Sequence, residues 1–128
     1  MVLGVGIDMA SIADFETCTS DPASSRAFEE RTFTARELAE ADQRGCGRAE
    51  YLAGRFAVKE AAFKAVGRLA PADIVDLRIV ETMSASDGRP VVSLDEQIAP
   101  ALAAAGVTEL LASITNEGPF AMAVVVAQ

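Results

Sequence analysis

A chain of 128 residues, 51% hydrophobic and 23% charged, is long enough for one compact domain over residues 1–128 and too apolar to stay disordered. Its formal net charge of −8 disfavours bulk binding to nucleic acid. The absence of histidine removes histidine-dependent serine and cysteine triads and histidine-ligated zinc, leaving carboxylate, lysine, water and hard-cation chemistry.

At the start of the chain, Leu3, Val5 and Ile7 alternate with Gly4 and Gly6. This predicts a strand over 2–7, not a signal peptide, with Asp8 at its end. A short helix is expected from 12 to about 18, then a break at Ser20-Asp-Pro-Ala-Ser24, then a helix over 24–31. Thr34-Ala-Arg-Glu37 has the form of a capping box and should start a helix running to about Ala41. Residues 43–47 read as a loop, followed by a long helix over 48–66 closed by Gly67. Past Pro71 the pattern turns strand-like from about 75 to 82. It turns again at Asp87-Gly88 into a strand with Val91, Val92 and Leu94, a hairpin over 79–94. A helix over 95–105 ends at Gly106. Strands over 110–115 and 120–127 make a second hairpin through Asn116-Glu-Gly-Pro119. The order predicts an α+β fold with a mostly antiparallel sheet packed against the long helix. No apolar run approaches the ~20 residues of a membrane-spanning helix. Cys18 and Cys46 make no metal spacing and no disulfide framework, so a reducing cytoplasm is the expected setting.

The chemistry concentrates in the long helix. At 100° per residue, Ala49, Leu52, Phe56, Glu60 and Phe63 share one side. Glu60 therefore falls within an apolar stripe, flanked by Lys59 and Lys64, and a carboxylate there needs a cation. Asp8 offers a second carboxylate on a different rigid element. Taken singly, Asp8 also reads as a turn or cap residue, and Glu60 as the partner of Lys64 in an i,i+4 pair. Together they suit magnesium, which is usually held by one or two carboxylates with waters and substrate phosphates. Arg55, Lys59 and Lys64 could meet those phosphates. Thr115 and Asn116 belong either to a hairpin turn or to a ligand cleft. Gly4-Val-Gly6 lacks the third glycine of a dinucleotide fingerprint and reads as close helix–strand packing. Nine of the 11 basic residues lie between Arg26 and Arg68 against seven acids, net +2; the remainder is −10. Such a zone suits a polyanionic ligand or an acidic partner, and equally ordinary charge pairs on helix surfaces.

Several of these segments are recognisable together. They are Gly6-Ile-Asp8, Phe33-Thr34 with Glu37-Leu38, and Leu52-Ala-Gly-Arg55-Phe-Ala-Val-Lys59-Glu60-Ala-Ala-Phe-Lys64-Ala. Gly88-Arg-Pro90 and Ser113-Ile-Thr115 complete the set. In order and spacing, over nearly the whole chain, they resemble the holo-acyl-carrier-protein synthases of the 4′-phosphopantetheinyl transferase superfamily. The resemblance implies transfer of phosphopantetheine from coenzyme A to a serine of an acyl or polyketide carrier protein, with release of adenosine 3′,5′-bisphosphate. It implies magnesium held by Asp8 and Glu60, with Lys64 assisting the leaving group and Arg55 and Lys59 on phosphates. It implies that the serine proton passes to Glu60 or to a water on the metal. It further implies a homotrimer with sites between subunits, and an acidic carrier that gives the basic zone its purpose. Two other readings share the fold: a carrier- or coenzyme-binding paralogue without turnover, and another reaction on a carrier-bound substrate. Asn116 stands where many relatives have histidine, Ser11 where glutamate is common, and Asp14 and Glu16 where the first helix is often basic.

Overall fold

The computed structural model describes residues 1–16, 21–67, 69–70 and 76–128. Its elements are β1 (Gly4–Ser11), α1 (Pro22–Thr32), α2 (Ala35–Asp42), α3 (Arg48–Val66), β2 (Val80–Ser84), β3 (Pro90–Leu94), α4 (Ala99–Ala104), β4 (Leu110–Glu117) and β5 (Phe120–Ala127). Short 3-10 turns cover Ile12–Phe15, Gly45–Gly47 and Leu77–Ile79. Three strands form an antiparallel sheet in the order β1-β5-β4, and β2 pairs antiparallel with β3. The expected α+β architecture with a long helix against antiparallel sheet is what forms.

Local chemistry explains most boundaries. Asp21 caps α1 by accepting the backbone N–H groups of Ala23 and Ser24, and Pro22 sits in the first turn, where its missing N–H costs nothing. The helix therefore begins inside the stretch read as a break. Thr34 and Glu37 form both halves of the capping box of α2. The helix expected after residue 12 is only the turn Ile12–Phe15, and Cys18 lies outside the described residues. The strand expected from about 75 begins at Val80, because Asp76 accepts the N–H of Arg78 and winds Leu77–Ile79 into a turn; residue 75 lies outside the described residues. The helix expected over 95–105 shrinks to α4 for a similar reason. Asp95 ties up the N–H groups of Gln97, Ile98 and Ala99 in a turn. Gly106 (φ 90°) and Gly88 (φ 86°) take the left-handed backbone that ends α4 and closes the β2–β3 hairpin.

β1 runs longer than its alternation suggested. Its pairing with β5 continues from Gly4↔Ala127 to Ser11↔Phe120, so Asp8 lies within the strand, opposite Ala123, and not beyond its end. Gly4, Gly6, Asp8 and Ala10 share the face turned to α3. Contact there is backbone on backbone. A Cβ on Gly6 would stand 1.8 Å from the carbonyl oxygen of Ala61, and one on Gly4 1.9 Å from that of Ala65. The small residues let the helix lie directly on the strand.

α3 is the centre of the molecule. β1 and β5 cover one side of it, and α2 and β2 cover another. Leu52, Ala53, Ala57, Val58, Ala61, Ala62 and Val66 are all buried. The single apolar stripe through Phe56, Glu60 and Phe63 is thus the half-buried margin of a helix enclosed on several sides. Among the described residues, no helix is long and apolar enough to cross a membrane. The outer face of the three-stranded sheet is apolar and exposed at Val5, Ile7, Met9, Leu111, Phe120 and Met122.

Candidate functional site

Two groups of side chains stand out, one at the β1–α3 seam and one at the other edge of α3. At the seam, the register of β1 turns Asp8 toward the helix. Lys64 Nζ donates to Asp8 Oδ1 at 2.8 Å and to the carbonyl of Ile7 at 2.9 Å. Asp8 keeps 19% of its side chain exposed and Lys64 54%, so this pair is wet. Glu60 lies one turn before Lys64 on the same helix face. It is half-buried, and among the described residues no hydrogen bond or ion pair reaches its carboxylate. An orphan carboxylate on α3 and a second on the strand packed against it, both hard oxygen donors, fit a divalent cation that keeps several waters. Among the described residues, no cluster of three or more histidine, cysteine, aspartate or glutamate side chains gathers to enclose a metal. The donor set therefore suits an open magnesium-type site, not a closed structural one.

The second group surrounds a cavity of about 390 Å³ lined by Arg44, Tyr51, Arg55, Ser84, Ile114 and Asn116, among others. The guanidinium groups of Arg55 and Arg44 lie over the Tyr51 ring, 4.3 and 4.9 Å from its centroid. Both donate to Ser84 Oγ, at 2.7 and 3.1 Å. Glu40 stands behind them, 3.1 Å from Arg44 and 3.8 Å from Arg55. Burial opposes ionisation of Glu40, but hydrogen bonds from Ser84, with the charge of Arg55, hold its carboxyl below the ordinary value. Tyr51 Oη and Arg55 Nε are buried without a hydrogen-bond partner among the described residues. Burial pushes the Tyr51 phenol up, against the pull of Arg55. Buried donors left unsatisfied beside a cavity mark a place for a ligand oxygen. Asn116 Nδ2 donates to Glu50 Oε1 at the cavity rim.

The expected site residues thus separate. Asp8 and Lys64 meet at the seam, and Glu60 stands one turn before Lys64 on α3. Arg55 and Asn116 meet at the cavity. Thr115 does not join them: alternation along β4 puts it on the outer sheet face, opposite Met122. Lys59 is a correction. Its side chain has no exposed surface, and its ammonium is used up by Glu37 Oε1 at 2.7 Å and the carbonyls of Leu77 and Val80 at 3.1 and 2.6 Å. Burial lowers its pKa while Glu37 raises it. Lys59 anchors the core and does not point at a phosphate. Arg44, Tyr51 and Ser84 escaped the sequence reading. Arg44 had no signal beyond the basic zone. Tyr51, the one tyrosine in the chain, directly precedes the Leu52–Lys64 segment and could have been weighed.

Comparison with known proteins finds matches over nearly the whole chain. The family model for ACPS, the 4′-phosphopantetheinyl transferase superfamily, matches residues 4–125. The holo-[acyl-carrier-protein] synthase of Mycobacterium ulcerans is 39% identical, over 98% of this chain and 95% of its own. The crystal structure of the holo-[acyl-carrier-protein] synthase from Neisseria meningitidis superposes with a TM-score of 0.84 at 30% identity, over 100% of this chain and 99% of that one. A coenzyme A complex of the Chronobacterium ammoniagenes enzyme gives 0.79 at 30% identity, over 98% and 96%.

Proposed function

This chain belongs to the 4′-phosphopantetheinyl transferase superfamily, and from that premise we propose that Asp8 and Glu60 hold the magnesium ion at which it works. The enzyme transfers 4′-phosphopantetheine from coenzyme A to a serine of an apo-acyl carrier protein. The serine hydroxyl forms the new bond to the phosphorus that carries pantetheine. The pyrophosphate P–O bond breaks, and adenosine 3′,5′-bisphosphate leaves. When bound, the cation neutralises charge that develops on the pyrophosphate.

The chain's own groups do the rest. Glu60 is half-buried and, among the described residues, without a partner, so it can take the serine proton. Lys64, at the same seam, meets the leaving phosphate. Arg55 and Arg44, stacked on Tyr51, receive another phosphate of the coenzyme, and Asn116 hydrogen-bonds the nucleotide beside them. The reading is supported by the bond from Lys64 to Asp8 across the β1–α3 seam, with Glu60, unpartnered among the described residues, one turn earlier on the helix.

The reading includes a homotrimer. Monomers rarely leave so continuous an apolar face in water as that of β1, β5 and β4. A second copy on this face brings Thr115 to the subunit boundary. It can also join the seam of one subunit to the Arg55 cavity of the next, which stand apart on a single chain. The setting is cytoplasmic, and the partner is an acidic carrier of fatty-acid or polyketide synthesis drawn to the basic zone. The test is intact-mass spectrometry of a panel of apo-carriers incubated with the enzyme, coenzyme A and magnesium. One carrier should gain the mass of a single phosphopantetheine, and the gain should vanish with chelator. No gain on any carrier contradicts the reading.

A further inference from the structure

Lys64 is fixed, not merely near. Its ammonium is held by a backbone carbonyl (Ile7) as well as by Asp8 Oδ1. A cation that takes Asp8 as a ligand therefore sits close to a tethered positive charge. Two like charges ~5 Å apart repel appreciably even in a well-solvated site. Asp8 and Glu60 carry two negative charges and Lys64 cancels one, so a divalent ion leaves the seam net positive by one. A pyrophosphate brings the missing negative charge and gives Lys64 a second partner.

We propose that Lys64 makes cation binding depend on the coenzyme: the seam binds the ion weakly alone and tightly once a pyrophosphate lies against Lys64. The inference rests on the assignment of Asp8 and Glu60 as ligands. By linkage the ion tightens the coenzyme by the same factor. The seam is then protected from filling with metal when no substrate is present.

The test is Mn²⁺ binding followed by electron paramagnetic resonance, without carrier protein, in the absence and presence of saturating coenzyme A, with the free coenzyme's own Mn²⁺ binding subtracted. Wild type should bind Mn²⁺ about tenfold or more tighter with coenzyme, within the usual range of coupling between sites. Lys64→Met and Lys64→Gln should bind Mn²⁺ about tenfold tighter than wild type without coenzyme, and coenzyme should then add little. The side chain is largely exposed, so both variants should fold, which thermal unfolding checks. Glu60→Gln separates the two readings. If it weakens Mn²⁺ binding while the Lys64 variants bind no tighter than wild type, this inference alone is overturned. If Glu60→Gln binds Mn²⁺ as wild type does, the ligand assignment falls and takes this inference with it.

Discussion

Lys59 and Glu37 form an ion pair from which water is wholly excluded: Nζ stands 2.7 Å from Oε1, and neither side chain has exposed surface. Glu37 also accepts the N–H groups of Thr34 and Thr82. One carboxylate thus ties α2 and β2 to α3, the helix that carries Glu60.

Breaking such a pair from one side leaves a buried charge alone, at a typical cost of 3–5 kcal/mol, about what many domains can lose before unfolding. Lys59→Met should lower the urea unfolding free energy by about that much. Lys59→Met with Glu37→Gln removes both charges and keeps an acceptor for the cap. The double variant should therefore lose clearly less than the two single losses added. Simple additivity would mean the pair is not coupled as the geometry requires.

Acid should cost stability behind the arginine cavity. Burial alone would raise the pKa of Glu40, but the Ser84 hydrogen bonds and the charge of Arg55 hold it below the ordinary glutamate value. A carboxyl whose folded pKa is depressed stabilises the fold above its unfolded pKa, and that stability is lost as pH falls through the folded value. Melting temperatures measured from about pH 6 to about pH 3 should fall more steeply for wild type than for Glu40→Gln. Parallel curves would show that Glu40 is not held ionised by its neighbours.

Arg55 is placed by Tyr51, Ser84 and Glu40 as a planar fork, and lysine cannot reproduce that shape. Arg55→Lys should raise KM for coenzyme A about tenfold, near 1.4 kcal/mol, with a smaller change in kcat. Steady-state kinetics with an apo-carrier decide this. A fall in kcat alone would move Arg55 from binding to the chemical step.

Ile7 points away from α3 on the exposed sheet face, 56% accessible. Ile7→Lys should turn a trimer into monomers in size-exclusion chromatography with light scattering. It should also abolish transfer while leaving the fold intact by circular dichroism. A wild-type monomer, or full activity in the monomeric variant, contradicts the shared site.

Much of the fold was legible because local chemistry set it. The Thr34–Glu37 box, the Asp87-Gly88 turn and the 19-residue α3 stand where their residues predict. What misled were features that depend on partners across the molecule. Asp8 moved from strand end to strand middle because β5 is long enough to pair with all of β1. The stripe on α3 proved marginal because elements enclose the helix on more than one side, a fact its own periodicity does not carry. Lys59 was misassigned for the same reason. Its buried partner is 22 residues away, and Glu37 had already been accounted for as a cap. At the seam, Asp8 and Glu60 were legible as carboxylates in awkward places. The contact that links Asp8 to Lys64 across 56 residues was not.

The carboxylate pair is the claim on which the mechanism turns. Crystals of the enzyme with coenzyme A and Mn²⁺, measured at the manganese absorption edge, test it most directly. The account predicts one anomalous peak at the β1–α3 seam with an oxygen of Asp8 and one of Glu60 each about 2.1 Å away. A peak that engages neither carboxylate, or only one of them, with the coenzyme in place contradicts it.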